Sequence, residues 1–317
     1  MIVVTSYPTP DLDGVACSIA YAELLQAQNR PAQAFIEGAP HLVAQHILAK
    51  AGLSFQDFEH LPNEISEVFY TDDSFIDSVP VAIDPYQITE IVDHHSDGRP
   101  EEFPNLVTIQ NEEVGAAATL IAEKFKAGGV DPTKASALLL YGAIIDNSLN
   151  FSTSNTSDRD REMATWLRQL HQLSSEDELA SEIFTTRSEL TDSEIVQCLI
   201  EDNFPIKGLA EGYSLAVGQL EISFEHSGIL EKGALLARAT KGIASRYDCK
   251  QSAAILVDLS ADRSHIITLT PELARLFANA IEGSNLLDAC QLELPHRMQR
   301  KTIVPLFRSH LEHIFSA

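Results

Sequence analysis

The chain has 317 residues, enough for two ordinary domains, and a globular composition that is 44% hydrophobic and 21% charged. Lysine and arginine total 22 against 46 aspartates and glutamates, so the formal net charge is -24. This charge argues against a protein that coats duplex nucleic acid, and it suits divalent cations, which bind carboxylate oxygens. No apolar run approaches the roughly 20 residues of a membrane span and no basic N-terminal segment is present, so we expect a cytoplasmic protein.

Strand and helix patterns alternate along the first half of the chain. Apolar runs predict strands at 1–7, 33–38, 67–74 and 88–95, and helical spacing predicts helices at 15–30, 41–52, 113–129, 134–148 and 159–173, followed by an acidic helix. This alternation is typical of an α/β domain in which helices flank a mostly parallel sheet.

The pattern changes near residue 189, and we place a linker around 187–190. Beyond it, strands are predicted at 213–224, 252–260 and 264–270, and helices at 230–247 and 271–282. The chain is therefore predicted to contain an N-terminal domain at 1–189 and a smaller α+β domain at 190–317.

Acidic and histidine side chains follow several predicted elements of the first domain. They are Asp11 and Asp13, Asp72 and Asp73, Asp93, His94 and His95, and finally Asp146 at the end of a helix. Each cluster alone is common as a capped turn or as a polar surface. Ligands bind at the carboxyl ends of parallel strands, however, and carboxylates with an imidazole suit Mn²⁺ or Mg²⁺. Their joint placement therefore favours a metal site.

Several motifs, taken in order, resemble the DHH phosphoesterase superfamily. "PDLDG", "YTDDS" and "VDHH" resemble its signature, and the spacing of 21 residues from Asp72 to Asp93 matches family II manganese-dependent inorganic pyrophosphatases. "EVGAAATLIAEKF" resembles the Val-Gly-x-x-x-Thr helix of that family and "AIIDNSLNF" its fourth acidic motif. "QRKTIVPLF" resembles the basic strand of the DHHA2 domain. The resemblance covers nearly the whole chain.

The resemblance implies two metal ions, Mn²⁺ or Mg²⁺, in a cleft between a DHH domain and a DHHA2 domain. Asp11 and Asp72 would hold the first ion, and Asp72 would bridge to a second ion held by the set Asp13, Asp72, His94 and Asp146. Asp93 would orient the histidines, while the phosphate groups would be bound by His95, Arg300 and Lys301.

Three positions depart from the family pattern. Tyr7 stands where the first-metal histidine is expected, which predicts a weakened first site. One extra residue separates Asp146 from the next phenylalanine, so Asn147 is an alternative ligand. Gln299 replaces an arginine of the basic strand, which predicts weaker phosphate recognition.

The activity implied is hydrolysis of pyrophosphate or short polyphosphate by a hydroxide that bridges two metal ions and attacks phosphorus in line. Two alternatives stay open at this point. One is a DHH-type phosphodiesterase acting on short oligonucleotides or cyclic dinucleotides, and the other is a non-catalytic phosphate or nucleotide sensor. The partner is expected to be a small phosphorylated substrate, and the resemblance also makes a homodimer conceivable.

Overall fold

The computed structural model describes residues 1–96, 98–153, 155–201, 203–206 and 214–316. The chain divides into two compact units, Met1–Thr186 and Arg187–Ala317. The sequence placed this boundary at residue 189. Within the described ranges, no helix combines the length and the apolar character needed to cross a membrane.

The first unit is built on a parallel sheet. Its strands are β1 (Ile2–Thr5), β2 (Ala32–Phe35), β3 (Glu67–Thr71), β4 (Ile88–Asp93) and β5 (Thr108–Asn111), and their order across the sheet is β2-β1-β3-β4-β5. Every neighbouring pair is parallel, which confirms the predicted α/β class. The sequence did not predict β5, because this edge strand is polar and mostly exposed and so lacks an apolar run.

Helices surround this sheet. They are α1 (Leu12–Ala27), α2 (Leu42–Lys50), α3 (Ala117–Ala127), α4 (Lys134–Asn147), α5 (Asp158–His171) and α6 (Glu176–Ser188). α4 is apolar on nearly all sides and almost entirely buried, because it packs among α1, α3 and α5. Its close packing uses Gly142, where an added Cβ would lie 3.3 Å from a methyl group of Leu12. This packing brings the last turn of α4 to the start of α1.

The second unit contains a mixed sheet. Its strand order is β10-β11-β9-β8-β7-β6, and its strands are β6 (Asn203–Ile206), β7 (Leu215–Ile222), β8 (Gln251–Asp258), β9 (Ser264–Thr268), β10 (Asn285–Leu286) and β11 (Gln291–Leu294). Only β7 and β8 are paired in parallel among these described strands. The helices are α7 (Asp192–Glu201), α8 (Phe224–Ser227), α9 (Gly233–Arg246), α10 (Pro271–Ala280) and α11 (Arg300–Ser316).

The segment that resembled a basic strand is helical. Arg300 and Lys301 lie in the first turn of α11, not in a strand. The physical reason is visible in the apolar spacing: Ile303, Phe307 and Leu311 recur every four residues and are all buried. This helical period outweighs the short basic motif, even though the helix contains Pro305.

Candidate metal centre

Asp11 and Asp13 are oriented by two helix N-termini. Asp11 caps α1, and its Oδ1 accepts hydrogen bonds from the backbone N–H groups of Asp13 (2.9 Å) and Gly14 (3.1 Å). The Asp13 carboxylate is fully buried and caps α3 instead, accepting from Ala117 N (2.7 Å) and Ala118 N (2.8 Å). The N-cap and the first turn of α1 therefore present two carboxylates in fixed orientations.

Asp72 follows β3 in a left-handed backbone conformation, with a φ of 61°. Non-glycine residues rarely adopt this conformation, and aspartate is among the few that tolerate it. The backbone is held there because Asp72 N donates to Val92 O of the neighbouring strand β4 at 2.8 Å. The resulting turn buries the carboxylate, which is 2% exposed.

Asp93 orients the two histidines that follow it. Its Oδ1 accepts from the backbone N–H of His94 (2.7 Å) and pairs with Nδ1 of His95 (2.8 Å). His94 Nδ1 lies 3.0 Å from the carbonyl oxygen of Val114. Because a carbonyl oxygen can only accept, Nδ1 carries a hydrogen and donates a hydrogen bond to it. The Nε2 atom of His94 is then left with a free lone pair, which is the tautomer that ligates metal ions.

Buried lone pairs converge at one point of the site. His94 Nε2 lies 3.4 Å from Asp72 Oδ1 and 3.8 Å from Asp13 Oδ2. His94 Nε2 and Asp72 Oδ1 are both buried without a hydrogen-bond partner in the described part of the chain. Unpartnered buried acceptors are costly, and a separation of 3.4 Å suits two ligands of one ion with bonds of about 2.1 Å. These atoms fit a divalent cation of the kind that prefers oxygen and imidazole ligands.

His95 lies at the rim of the same cluster. Ligand atoms of Asp72, His94 and His95 all lie within 4.8 Å of one another. Burial lowers the pKa of His95, but its hydrogen bond to Asp93 and the charges of Asp93, Asp73 and Asp11 outweigh this effect and raise the pKa to about 9. The half-exposed imidazole is therefore positively charged near neutral pH.

Burial and the concentrated negative charge of the site raise the pKa values of three of its groups. Burial, followed by the carboxylates of Asp13 and Asp11, raises the pKa of Asp72 well above its ordinary value. Burial also raises the pKa of Asp13, although His94 opposes the shift. Burial and the charges of Asp11 and Asp72 raise the pKa of the Tyr7 phenol, which stays neutral and accepts a hydrogen bond from Asp11 N at 3.3 Å. A bound cation would relieve this repulsion.

The end of α4 brings Asn147 to the site. Asn147 Nδ2 donates to Asp13 Oδ2 at 2.8 Å, and Asp146 is buried in the same turn. Leu149, Asn150 and Phe151 then adopt left-handed conformations in succession, which accommodates the extra residue noted in the sequence. Asn147 therefore contacts Asp13, a predicted ligand, and both Asp146 and the alternative Asn147 stay predicted ligands.

The carboxylates open into a pocket of about 420 Å³ in the first unit. Its polar lining includes Asp11, Asp72, Asp73, Ser78, His95 and Asn147, and its remaining lining residues are Tyr7, Pro8 and Phe75. Its volume is within the range of small-molecule sites.

The predicted phosphate-binding residues of the second unit lie at the start of α11. Arg300 N donates to Gln219 Oε1 at 2.6 Å, and partial burial lowers the pKa of Lys301, opposed by the charge of Glu221. Gln299 donates to Glu221 Oε1 at 2.5 Å. The glutamine that replaces the expected arginine is therefore engaged within this unit. The phosphate-binding role of Arg300 and Lys301 stays a prediction.

Two buried hydrogen-bond acceptors near the site were not predicted from the sequence, the Val114 carbonyl and Asp160. The "EVGAAAT" motif contains the first, because the carbonyl of Val114, the residue before its glycine, accepts a hydrogen bond from His94 Nδ1. The second is visible only as a serine followed three residues later by an aspartate at the start of α5, where the two form a capping box.

The chain is similar in sequence to proteins described as manganese-dependent inorganic pyrophosphatases. Residues 1–144 match the DHH family, N-terminal domain. A Deinococcus radiodurans protein described as a manganese-dependent inorganic pyrophosphatase is 25% identical over 224 residues, which cover 70% of this chain and 71% of the relative. The chain aligns with only about half the length of several other curated relatives.

Two solved structures share the fold. One is a Methanococcus jannaschii protein described as a family II inorganic pyrophosphatase, with a TM-score of 0.70 and 20% identity over 98% of this chain and 100% of that chain. The other is an exopolyphosphatase-related protein from Bacteroides fragilis, with a TM-score of 0.51 and 15% identity over 98% of this chain and 92% of that chain. Residues 1–144 are therefore similar to the N-terminal domain of the DHH family, and the chain shares its fold with these two proteins.

Proposed function

We propose that this protein is a divalent-cation-dependent phosphohydrolase that cleaves the phosphoanhydride bonds of pyrophosphate or short polyphosphate. One observation carries the proposal. The buried acceptors Asp72 Oδ1 and His94 Nε2 lie 3.4 Å apart without hydrogen-bond partners, in a fold shared with a protein described as a pyrophosphatase. The manganese-dependent pyrophosphatase relatives support both the cation and the substrate class.

The proposed ions are two Mn²⁺ or Mg²⁺, held by the residues expected from the sequence. Asp11 and Asp72 would hold one ion, and Asp13, Asp72, His94 and Asp146 would hold the other. When bound, such a pair lowers the pKa of a water molecule toward neutrality and neutralises charge on phosphate oxygens during an in-line attack. The neutral Tyr7 phenol at the first position is a poor ligand, so we propose that this ion is held more weakly.

The chain's own residues supply the remaining tasks. His95, whose Nδ1 hydrogen-bonds Asp93, is proposed to bind one phosphate oxygen. Asp93 also fixes the backbone after β4, which keeps the two rings in place. Arg300 and Lys301 are proposed to bind the outer phosphate group. A homodimer and a cytoplasmic location remain predictions.

The test is phosphate release after removal of metal with EDTA. The substrates are pyrophosphate, tripolyphosphate and a dinucleotide, each assayed with Mn²⁺, with Mg²⁺ and with no metal. We expect metal-dependent release from pyrophosphate or tripolyphosphate. Conversion of the dinucleotide to mononucleotides, separated by chromatography, with no phosphate release from the other two substrates would favour the phosphodiesterase alternative. Tight phosphate binding without turnover would favour the sensor.

A pair of histidine variants makes the test specific. His94→Gln removes the free imidazole lone pair and should abolish metal-dependent release, whereas His60→Gln changes an exposed histidine outside the pocket and should leave it intact. Equal activity in both variants would contradict the proposed site.

A further inference from the structure

Asp160 is a buried carboxylate that links two distant parts of the first unit. It is fully buried as the third residue of α5, and it forms the local capping box with Ser157. It also accepts hydrogen bonds from Gly115 N (3.0 and 2.9 Å to its two oxygens) and from Thr119 Oγ1 (2.6 Å). A buried carboxylate is stable only when its charge is hydrogen-bonded in this way.

Asp160 accepts its hydrogen bonds from the turn at residues 114–119, and this turn also makes the contacts that orient two proposed metal ligands. The carbonyl of Val114 accepts the Nδ1 proton of His94 at 3.0 Å. The N–H groups of Ala117 and Ala118 hold the two oxygens of Asp13 at 2.7 and 2.8 Å. One short segment therefore determines both the tautomer of the histidine and the orientation of the carboxylate.

The hydrogen bonds to Asp160 require its carboxylate to lie close to the backbone of Gly115. A Cβ added to Gly115 would lie 3.2 Å from the carboxyl carbon of Asp160, so the glycine lets the carboxylate reach the backbone. Ala116 follows in an extended conformation as the residue before α3, and its side chain makes no capping hydrogen bond. Asp160 holds the segment one residue before this N-cap.

We infer that Asp160 is a positioning residue of the metal centre: through Gly115 and Thr119 it holds the turn that orients His94 and Asp13 for cation binding. The inference rests on the proposed function, because it presupposes a cation at His94. Substitutions behind metal ligands typically weaken metal binding by about 10- to 100-fold.

Asp160→Asn is an informative change because it keeps the size of the side chain. The amide NH₂ group cannot accept a hydrogen bond, so one oxygen position loses its donors. If the NH₂ group replaces Oδ1, the hydrogen bonds that Thr119 and Gly115 donate to that oxygen are lost. If it replaces Oδ2, the capping box and the other hydrogen bond from Gly115 are lost. The matched control is Asp158→Asn, which removes the same charge from an exposed position in the same helical turn.

The experiment is titration of the metal-free full chain with Mn²⁺ by calorimetry, together with thermal unfolding of the same metal-free samples. We expect Asp160→Asn to raise the Mn²⁺ dissociation constant at least tenfold, and Asp158→Asn to leave it within twofold of wild type. A purely structural role would lower the unfolding temperature of Asp160→Asn and leave the dissociation constant unchanged, which would overturn the inference.

A second pair decides the question if Asp160→Asn does not fold. Thr119→Val removes one hydrogen bond to Asp160 at nearly constant volume, and Thr119→Ser restores the hydroxyl. Weaker Mn²⁺ binding by threefold or more in Thr119→Val, recovered in Thr119→Ser, supports the inference, and equal binding in both overturns it. If the wild-type chain binds no Mn²⁺, the proposed function fails and the inference fails with it. Normal binding in all variants overturns the inference alone.

Discussion

Replacing Asp72 with asparagine should make the metal-free protein more stable while removing its response to metal. Asp72 and Asp13 each have an oxygen within 3.8 Å of His94 Nε2, so these oxygens are at most about 7 Å apart. At an effective dielectric constant of about 20, two ionised groups at that distance repel each other by roughly 2 kcal/mol. Burial is the first cause of the raised pKa of Asp72, and the charges of Asp13 and Asp11 raise it further.

The substitution should leave the backbone intact, since asparagine also tolerates the left-handed conformation at this position. We expect a gain of roughly 1–2 kcal/mol in the free energy of unfolding without metal, which corresponds to a rise of about 2–8 °C in the unfolding temperature. In wild type, Mn²⁺ at 100 times its dissociation constant should add about 2.7 kcal/mol, or about 5–11 °C, and in Asp72→Asn this increment should be absent.

The assay is differential scanning calorimetry of both proteins in EDTA and in Mn²⁺. Asp131→Asn, at an exposed loop position, is the control for loss of one negative charge. An Asp72→Asn protein that is less stable than wild type in EDTA would refute the argument from repulsion. A variant that keeps the full Mn²⁺ increment would refute the assignment of Asp72 as a ligand.

Three further predictions concern the first metal position, the second unit and its basic residues. Tyr7→His should tighten Mn²⁺ binding by about tenfold in calorimetric titration because it supplies the missing imidazole, whereas Tyr7→Phe should not. Burial raises the pKa of Asp258, but hydrogen bonds from a serine hydroxyl, a backbone N–H and an arginine outweigh it, so the net pKa is lowered. The ionised Asp258 carboxylate therefore stabilises the fold above roughly pH 4, and this stabilisation is lost as the pH falls through its lower folded-state pKa. In urea unfolding at pH 7, Asp258→Asn should be less stable than wild type by about 1–3 kcal/mol. This difference should shrink toward pH 3. Arg300→Ala and Lys301→Ala should raise KM for pyrophosphate about tenfold with the Mn²⁺ dissociation constant unchanged, and a changed metal affinity would argue against a role on phosphate alone.

The sheet of the first unit was predictable because its inner strands are buried on both faces. β1 and β3 are mostly apolar, β4 contributes Ile88, Ile91 and Val92, and acidic residues follow or end these strands. This pattern indicates parallel strands with a site at their ends. The edge strand β5 has no such run, since one side of it lacks a neighbouring strand. Local apolar pattern reports burial, so it finds inner strands and misses exposed ones.

The basic segment near the C-terminus resembled a strand in sequence but is a helix in the structure. A short match of charged residues suggested a strand, while the spacing of Ile303, Phe307 and Leu311 indicated a helix. Phe307 stacks on Phe277 of α10 with ring centroids 4.1 Å apart, and this packing stabilises the helical form. Apolar periodicity reflects the core contacts that stabilise an element, and a charge motif does not.

The sequence alone determined which chemical groups the site contains, because carboxylates and imidazoles at strand ends are recognisable without coordinates. The tertiary structure decided which of their lone pairs stay unpartnered. His94 Nδ1 is taken by a carbonyl 20 residues away and the oxygens of Asp13 by amides more than 100 residues away, which leaves Nε2 of His94 facing Asp72. Hydrogen bonds between segments so distant along the chain depend on how α1, α3 and β4 pack, and no local pattern encodes that packing.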